Sequence, residues 1–380
     1  MLIKNVNIYT EEKRFEYGDI TICDGVFAKA GQACGSYNED EVIDGEGCFA
    51  IPGLVDIHFH GCDGYDFCDG TEEAIRRIAE YEASVGVTTI VPATMTLPVE
   101  ELEAILKNAA EYQPKSGAEA DLLGINMEGP FISPVKKGAQ DAKNIIPCSV
   151  EIAERFVKAS GGLVTFIGVA PEEQENVCGF IEKMKGEVHI SLAHTNADYA
   201  AAKAAFDAGA DHAVHLYNAM PPFSHREPGV VGAVADSGHV MAELICDGVH
   251  IHPAAVRATL KMLGEERVVF ISDSMRATGM KDGLYTLGGL EVSVEGNRAA
   301  LVSDGSLAGS VTNLLDCMRT AVTKMGVPLE TAVACATANP AKSAGIYDRY
   351  GSITPGKKGN LVLLNQDLSL KAVIKEGKRL

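Results

Sequence analysis

Basic residues are scarce in this 380-residue sequence. It carries 33 Lys and Arg against 52 Asp and Glu, which gives a formal net charge of −19 at pH 7 and a pI near 4.9. Nucleic acid and anionic membrane surfaces repel a chain of this charge, so both partner classes are excluded. An anionic small ligand would have to be held by a few local cations.

Long apolar runs are also missing. No uninterrupted apolar stretch approaches the ~20 residues needed to cross a bilayer. Met1 to Thr10 lack the basic segment and apolar stretch of a signal peptide, which predicts a cytoplasmic protein. The ten cysteines include no Cys-x-x-Cys pair, which predicts reduced, mostly buried thiols rather than a disulfide framework or a thiolate zinc site.

Common motifs of nucleotide-binding proteins and serine hydrolases are absent. The sequence has no Gly-x-x-x-x-Gly-Lys-Ser/Thr loop, no Gly-x-Gly-x-x-Gly turn and no Gly-x-Ser-x-Gly elbow. Nucleotide binding and serine-hydrolase chemistry therefore lack their usual supports.

What the sequence does contain is an alternation of apolar strands and amphipathic helices, typical of a parallel sheet covered by helices. Eight such strands predict an α/β fold, a closed (β/α)8 TIM-like barrel. The predicted strands are 54–60, 87–92, 122–128, 163–169, 188–194, 212–216, 240–246 and 268–273. The predicted helices are 72–85, 99–112, 150–159, 173–184, 197–208, 253–263 and 310–325.

Short strands and tight turns at both ends predict a second, smaller unit. They lie at 2–9, 19–23, 26–30, 41–43, 359–364 and 371–375. We therefore expect a small β-sandwich domain of residues 1–52 and 346–380 beside a barrel of residues 53–345. Turn dipeptides such as Gly288-Gly289 predict a hairpin excursion over 283–309.

The stretch from Gly53 to Gly61 reads Gly-Leu-Val-Asp-Ile-His-Phe-His-Gly and predicts a buried strand that ends in two histidines. Side chains alternate across a strand, so His58 and His60 emerge on one face and can converge on one cation. A pair of histidines in a polar pocket is the alternative, because His-x-His is a short signal.

Ligand-type residues also follow other predicted strands, whose carboxyl ends surround the active site of a barrel. Four imidazoles and two carboxylates would meet at the carboxyl ends of the predicted strands, and such ligands suit zinc, iron(II), manganese or cobalt. These residues are His58, His60, Glu128, His194, His215 and Asp273. Each residue alone has an ordinary explanation as a hydrogen-bonded or capping side chain. Repetition over five strands nevertheless favours a metal centre. The remaining histidines are interpreted as structural or surface residues: His189, His212, His225, His239 and His252.

Longer motifs carry a more specific resemblance. They are Met127-Glu-Gly-Pro-Phe, Ala193-His-Thr-Asn-Ala, His215-Leu-Tyr-Asn-Ala-Met, Arg226-Glu-Pro-Gly, Cys246-Asp-Gly-Val-His and Ser272-Asp273. With the His-x-His strand, they resemble in order the motifs of the N-acetylglucosamine-6-phosphate deacetylases, a branch of the amidohydrolase superfamily. The resemblance extends to Gly351-Ser-Ile-Thr-Pro-Gly-Lys-Lys-Gly-Asn-Leu-Val.

The resemblance implies one or two divalent metal ions. Glu128, His194 and His215 would hold one ion, and the His-x-His pair with Asp273 would complete a second site bridged by Glu128. A bound ion lowers the pKa of water and polarises an amide carbonyl. Asp273 would take the proton of that water and pass it to the departing sugar nitrogen. In the alternative, Asp273 only positions the metal.

The resemblance also implies a site for a phosphorylated amino sugar. Family positions that contact the phosphate match Asn218, Ala219, Arg226 and His250, and the planar fork of arginine suits phosphate oxygens. Positions around the sugar and acetyl group match Ala139, Asp247, Gly248, Leu307, Ala308 and Gly309. Family members are commonly homodimers, and some phosphate contacts would then come from the partner subunit.

One position departs from the family pattern. Where many relatives have Lys-Gly-Ala/Thr-His, this chain has a glutamine as the fourth residue, Gln140. A glutamine amide donates a hydrogen bond but no proton, so we predict that Gln140 is a neutral oxyanion donor.

The favoured function is metal-dependent hydrolysis of N-acetyl-D-glucosamine 6-phosphate to D-glucosamine 6-phosphate and acetate, in amino-sugar catabolism and recycling. Deacetylation of the galactosamine epimer or of an N-acyl amino acid is the alternative within the superfamily. Hydantoinase or dihydroorotase activity is disfavoured, since those enzymes usually use a carboxylated lysine where this chain has Glu128. A non-catalytic sugar-phosphate-binding protein is the alternative from a different class.

Overall fold

A computed structural model describes residues 1–29 and 41–380. Its strands are β1 (Leu2–Tyr9), β2 (Phe15–Cys23), β3 (Val26–Phe27), β4 (Val42–Asp44), β5 (Phe49–Pro52), β6 (Leu54–Asp56), β7 (Gly61–Cys62), β8 (Tyr65–Asp66), β9 (Val87–Ile90), β10 (Ala93–Thr94), β11 (Asp121–Leu122), β12 (Ile125–Phe131), β13 (Val164–Val169), β14 (His189–Leu192), β15 (His212–Ala213), β16 (Met241–Ile245), β17 (Val268–Ile271), β18 (Gly283–Leu287), β19 (Leu290–Glu295), β20 (Arg298–Leu301), β21 (Leu361–Leu364), β22 (Leu370–Lys375) and β23 (Lys378–Arg379).

The helices are α1 (Glu72–Ser84), α2 (Val99–Glu111), α3 (Val150–Ala159), α4 (Val177–Met184), α5 (Tyr199–Ala208), α6 (Gly229–Ala235), α7 (Pro253–Leu263), α8 (Leu314–Thr323), α9 (Leu329–Ala336) and α10 (Ala338–Ser343). Within the described part of the chain, none of them combines the length and apolarity of a membrane span.

Two parallel sheets form the predicted TIM-like barrel. One has the strand order β10-β12-β13-β14-β15-β16-β17 and the other β11-β9-β6. Backbone hydrogen bonds join them, from Asn126 to Pro92 O at 2.9 Å and from Asp273 to His58 O at 3.0 Å. The second of these bonds brings the end of the last barrel strand beside the end of the first.

The barrel interior is filled by apolar side chains. Val55, Ile57, Phe166, Ile245 and Ile271 are fully buried members of one cluster, as expected when successive strands contribute layers of branched side chains. The amphipathic helices cover the outside of the sheet.

Strands from both chain ends form a single eight-stranded sheet, in the order β23-β22-β21-β5-β1-β2-β3 with β4 beside β1. Its core contains Ile3, Val6, Ile22, Leu361 and Ile374. Only one residue separates β5 from β6, so this sheet anchors the strand that leads to the predicted ligands.

The structure differs from the predictions in several places. The strand predicted at 26–30 ends at Phe27, and residue 30 lies outside the described residues. The helix predicted at 310–325 is the shorter α8, and the excursion over 283–309 has three strands, β18 to β20. Helices α6, α9 and α10 were not predicted.

The expectation that all cysteines are thiols is wrong for Cys23, which is disulfide-bonded. Eight other described cysteines are free and are buried or half-buried, as expected: Cys48, Cys62, Cys68, Cys148, Cys178, Cys246, Cys317 and Cys335.

Candidate metal centre and active site

The six predicted ligand residues meet at the carboxyl ends of the barrel strands. Each is at most 7 % exposed: His58, His60, Glu128, His194, His215 and Asp273. Three of them have left-handed backbone, with φ of 44° at His194, 27° at His215 and 49° at Asp273. This conformation costs ~1–3 kcal/mol per residue and is concentrated at functional sites. Here it occurs just after strands β14, β15 and β17, where the chain leaves the barrel.

One oxygen of Glu128 is the centre of the first ligand group. Glu128 Oε1 lies 2.9 Å from His194 Nε2 and 2.8 Å from His215 Nε2, and the two nitrogens are 3.2 Å apart. Three donor atoms from three strands are therefore close enough to share one ion.

A second ligand group lies beside the first. Asp273 Oδ1 is 3.4 Å from His60 Nε2 and 3.9 Å from His58 Nε2. Ligand atoms of His58, His60 and Asp273 all lie within 4.8 Å of one another, and so do those of His58, Glu128 and His215. His60 Nε2 is 3.3 Å from Glu128 Oε2, which places Glu128 between the two groups.

The charges of this cluster suit a cation. Burial alone would raise the pKa of Glu128, but His194 and His58 outweigh it and hold that pKa well below its usual range. Burial opposes protonation of His60, but hydrogen bonds to Asp273 and Glu128 raise its pKa to about 10. The carboxylates thus draw positive charge to this point, which a divalent ion supplies in place of protons.

An unpaired atom supports the same conclusion. His58 Nε2 is buried without a hydrogen-bond partner, whereas its Nδ1 lies 2.9 Å from Glu243 Oε2. A buried imidazole nitrogen without a partner, beside two carboxylates, is a free ligand position. The residues present therefore fit a divalent metal ion.

Gln140 contacts this cluster directly. Its Nε2 donates to Glu128 Oε2 at 2.7 Å, and its Oε1 accepts from Thr96 N at 2.7 Å. Gln140 is 1 % exposed, so the amide is fixed at both ends. An amide nitrogen carries two hydrogens, and the second is donated to Met95 Sδ, which lies 3.8 Å from Nε2. A thioether sulfur is a weak acceptor, so a ligand oxygen can replace it.

The loop before Gln140 approaches a ligand closely. Gly138 has φ of +54°, and a Cβ at this position would lie 3.2 Å from His194 Cε1. Glycine removes this contact and adopts left-handed backbone without strain.

A cavity of about 310 Å³ opens beside the ligand cluster. Its lining contains most of the predicted site residues: His60, Glu128, Ala139, Gln140, His194, His215, Asn218, Ala219, His250, Asp273, Leu307 and Gly309. The metal cluster and the predicted substrate residues thus share one cavity. Sequence reasoning missed Met95, Leu287 and Ser306, which also line it.

Asp247 contacts the cavity through another residue. Its Oδ2 lies 2.7 Å from His250 Nδ1, and its Oδ1 accepts from the backbone of Val249 and His250 at 2.8 and 2.9 Å. Asp247, Gly248 and Ala308 are not part of the lining, so Asp247 contributes to the cavity by orienting His250.

Arg226 was predicted to contact the substrate phosphate, but it does not line the cavity of its own chain. It is exposed and lines a separate surface cleft with Asp198, Tyr199 and Asp236. Within one chain it does not join Asn218, Ala219 and His250 at the cavity.

The match to known proteins decides the family. The sequence model of the Amidohydrolase family matches residues 49–380. The chain belongs to the amidohydrolase family. The barrel with ligand-type residues at the carboxyl ends of its strands is therefore the amidohydrolase fold.

Similar amidohydrolases of known name match over nearly the full length. N-acetylglucosamine-6-phosphate deacetylase from Bacillus subtilis (strain 168) is 37% identical, over 99% of this chain and 96% of its own. N-acetylgalactosamine-6-phosphate deacetylase from Escherichia coli O157:H7 is 33% identical, over 97% of this chain and 96% of its own.

Solved structures give the same answer. A mutant N-acetyl-D-glucosamine-6-phosphate deacetylase from Mycobacterium smegmatis, in complex with N-acetyl-D-glucosamine-6-phosphate, has a TM-score of 0.90 and 31% identity. The match covers 100% of this chain and 98% of that one.

Proposed function

We propose that this protein hydrolyses N-acetyl-D-glucosamine 6-phosphate to D-glucosamine 6-phosphate and acetate, in amino-sugar catabolism and recycling. One observation carries the proposal: Glu128, His194 and His215 converge at the floor of a cavity that also contains Gln140 and His250. This cavity offers ligands for a metal ion at one end and donors for an anion at the other.

Glu128, His194 and His215 would hold one divalent ion, and His58 and His60 with Asp273 a second, with Glu128 between them. An ion at this position polarises an amide carbonyl and lowers the pKa of water. Imidazole and carboxylate ligands favour zinc or iron(II), with manganese or cobalt as further candidates.

Asp273 is the proposed proton carrier. Its carboxyl group is buried, and although burial opposes it, hydrogen bonding from His60 and the charge of His58 lower its pKa. It is thus ionised at neutral pH and can accept the proton of the attacking water. It then delivers this proton to the sugar nitrogen, because an amine leaves far more readily than an amide anion.

Gln140 would stabilise the acetyl oxygen. Its Oε1 and one of its N–H groups are fixed by Thr96 and Glu128, and the second N–H, whose acceptor is the weak Met95 Sδ at 3.8 Å, is the proposed donor. A fixed donor stabilises charge that develops on the oxygen without reorganisation.

The phosphate would lie against Asn218, the backbone of Ala219 and His250. We propose a homodimer in which Arg226 of the partner subunit completes this site, because Arg226 is exposed and lies outside its own chain's cavity. We also propose a cytoplasmic location, where a doubly charged sugar phosphate is retained because a bilayer excludes it.

Metal removal and substrate comparison test the proposal. Protein purified without chelator is analysed for bound metal, stripped with a chelator and assayed for acetate release before and after divalent ions are restored. We expect activity to disappear and return with the ion. Binding of the sugar phosphate without acetate release, at full metal content, would instead identify a non-catalytic binding protein.

The galactosamine epimer is a second candidate substrate. It is favoured by the 33% identity over 97% of this chain to an enzyme named N-acetylgalactosamine-6-phosphate deacetylase. Assaying both epimers at equal concentration, and comparing their kcat/KM values, decides between them.

A further inference from the structure

A line of four buried polar side chains leads from helix α10 to the ligand cluster. Ser343 is 7 % exposed, His212 is 1 % exposed, and Glu243 and His58 are fully buried. His212 packs against an aromatic ring, with its ring centroid 4.9 Å from that of Phe166. A carboxylate is unfavourable in such a place unless all its oxygens are paired.

Each member of the line contacts the next. Ser343 Oγ lies 3.0 Å from His212 Nδ1, and His212 Nε2 lies 2.8 Å from Glu243 Oε1. Glu243 Oε2 lies 2.9 Å from His58 Nδ1 and accepts from His215 N at 3.0 Å. Glu243 thus connects the chain segments that carry two proposed metal ligands.

The charge of Glu243 determines which ring nitrogens of His58 and His212 carry a hydrogen. An ionised carboxylate only accepts, so His58 Nδ1 and His212 Nε2 must both carry a hydrogen and donate it to Glu243. His212 Nδ1 is then an acceptor for the hydroxyl of Ser343. An imidazole that donates from Nδ1 alone keeps a lone pair on Nε2, so His58 would present Nε2 to a metal ion.

We propose that Glu243 is a positioning residue, supported by His212, that holds His58 as the tautomer whose Nε2 faces the metal ions. The inference rests on the metal centre of the proposed function. It gives a role to His212, which the sequence analysis treated as structural. It also explains the buried, unpaired His58 Nε2, because this nitrogen is kept free for an ion. A carboxylate behind a ligating histidine fixes the ring and raises its basicity.

Two variants of Glu243 distinguish the effect of its acceptor oxygens from the effect of its negative charge. Glu243→Leu removes every acceptor, so His58 in the metal-free protein is expected to lose its single tautomer. Glu243→Gln keeps one acceptor oxygen for His58 and His215, but its amide nitrogen must donate to His212. His212 is therefore expected to switch from Nε2–H to Nδ1–H and to donate to Ser343.

The tautomers are measured by nitrogen NMR on metal-free protein labelled with ¹⁵N-histidine, at a pH high enough for the His58 ring to be neutral. Metal affinity is measured by competition with a chromogenic chelator. We expect Glu243→Leu to weaken zinc binding by about 10–100-fold and Glu243→Gln to weaken it less. Asp211→Asn is the matched control, because Asp211 also accepts from an imidazole, His189 Nδ1 at 2.6 Å, but away from the ligands.

The outcomes are distinct. Unchanged zinc affinity in Glu243→Leu, or a His58 tautomer that survives in it, overturns the inference. If Glu243→Leu does not fold, Glu243→Gln decides: a His212 that keeps its Nε2–H tautomer while His58 changes overturns the inference as well. Wild-type protein that binds no divalent ion would overturn the proposed function instead, since the tautomers are measured without metal.

Discussion

The two ends of the cavity are built differently. At the metal end, six ligand-type side chains are buried and held at short distances within one chain. At the proposed phosphate end, Asn218, Ala219 and His250 are only half-buried, and the described residues that line the cavity include no Lys or Arg. The proposed metal ligands are all supplied by one chain, whereas the proposed phosphate site would need a further cation. Substitutions at the first should therefore reduce kcat, and those at the second should raise KM.

The largest effect is expected at Asp273. Asp273→Asn keeps an oxygen ligand but cannot accept a proton, so kcat should fall by about 10³-fold or more. Acetate release and metal content are measured together, with exposed Asp282→Asn as the control. Loss of metal in parallel with activity would assign Asp273 to metal positioning alone.

Gln140→Ala should have the next largest effect. Loss of a fixed oxyanion donor lowers kcat by about 10²–10³-fold, with KM little changed. Steady-state kinetics on protein of matched metal content measures this. Gln366→Ala is a suitable control, because Gln366 is exposed in the turn between β21 and β22. An unchanged kcat would refute the oxyanion role.

Arg226→Ala tests the phosphate end. Loss of a charged hydrogen bond of ~1.5–3 kcal/mol should raise KM by about 10–100-fold and leave kcat nearly unchanged. Mixing Arg226→Ala subunits with Asp273→Asn subunits tests whether the contact crosses the interface. If it does, each mixed dimer regains one intact site with normal KM. Mixtures without this low-KM activity would place Arg226 outside the site.

The smallest effect is expected at Asp247. Burial lowers the pKa of His250, but the hydrogen bond with Asp247 outweighs it and raises that pKa above its usual value. The imidazolium should therefore bind phosphate at neutral pH and lose it as pH rises through the raised pKa, with an increase in KM. In Asp247→Asn the pKa falls, so the increase should begin at lower pH and reach about fivefold at neutral pH. A KM profile identical to wild type would exclude this coupling.

The barrel and its ligand positions could be predicted because they depend on local patterns. An apolar run such as Val268–Ile271 forms a strand, and Asp273, two residues after it, reaches the barrel mouth. The ligand cluster needed only strand order and side-chain alternation. The boundaries at residues 52/53 and 345/346 stay a prediction.

Other features could not be read from local patterns. Helix α6, Gly229–Ala235, contains only Gly, Ala and Val, and α9 is almost wholly buried, so neither shows a polar face with helical period. The role of Glu243 depends on His58, 185 residues away in sequence. The available signal was a single acidic residue inside the otherwise apolar strand Met241–Ile245.

The left-handed backbone at His194 and His215 has a consequence for chemical complementation. Glycine adopts such a conformation without steric cost, so His194→Gly and His215→Gly each exchange a strained residue for a relaxed one. Each also leaves a ring-shaped gap beside Glu128. We expect free imidazole added to the solvent to enter this gap and to replace the proposed ligand without a covalent link to the chain.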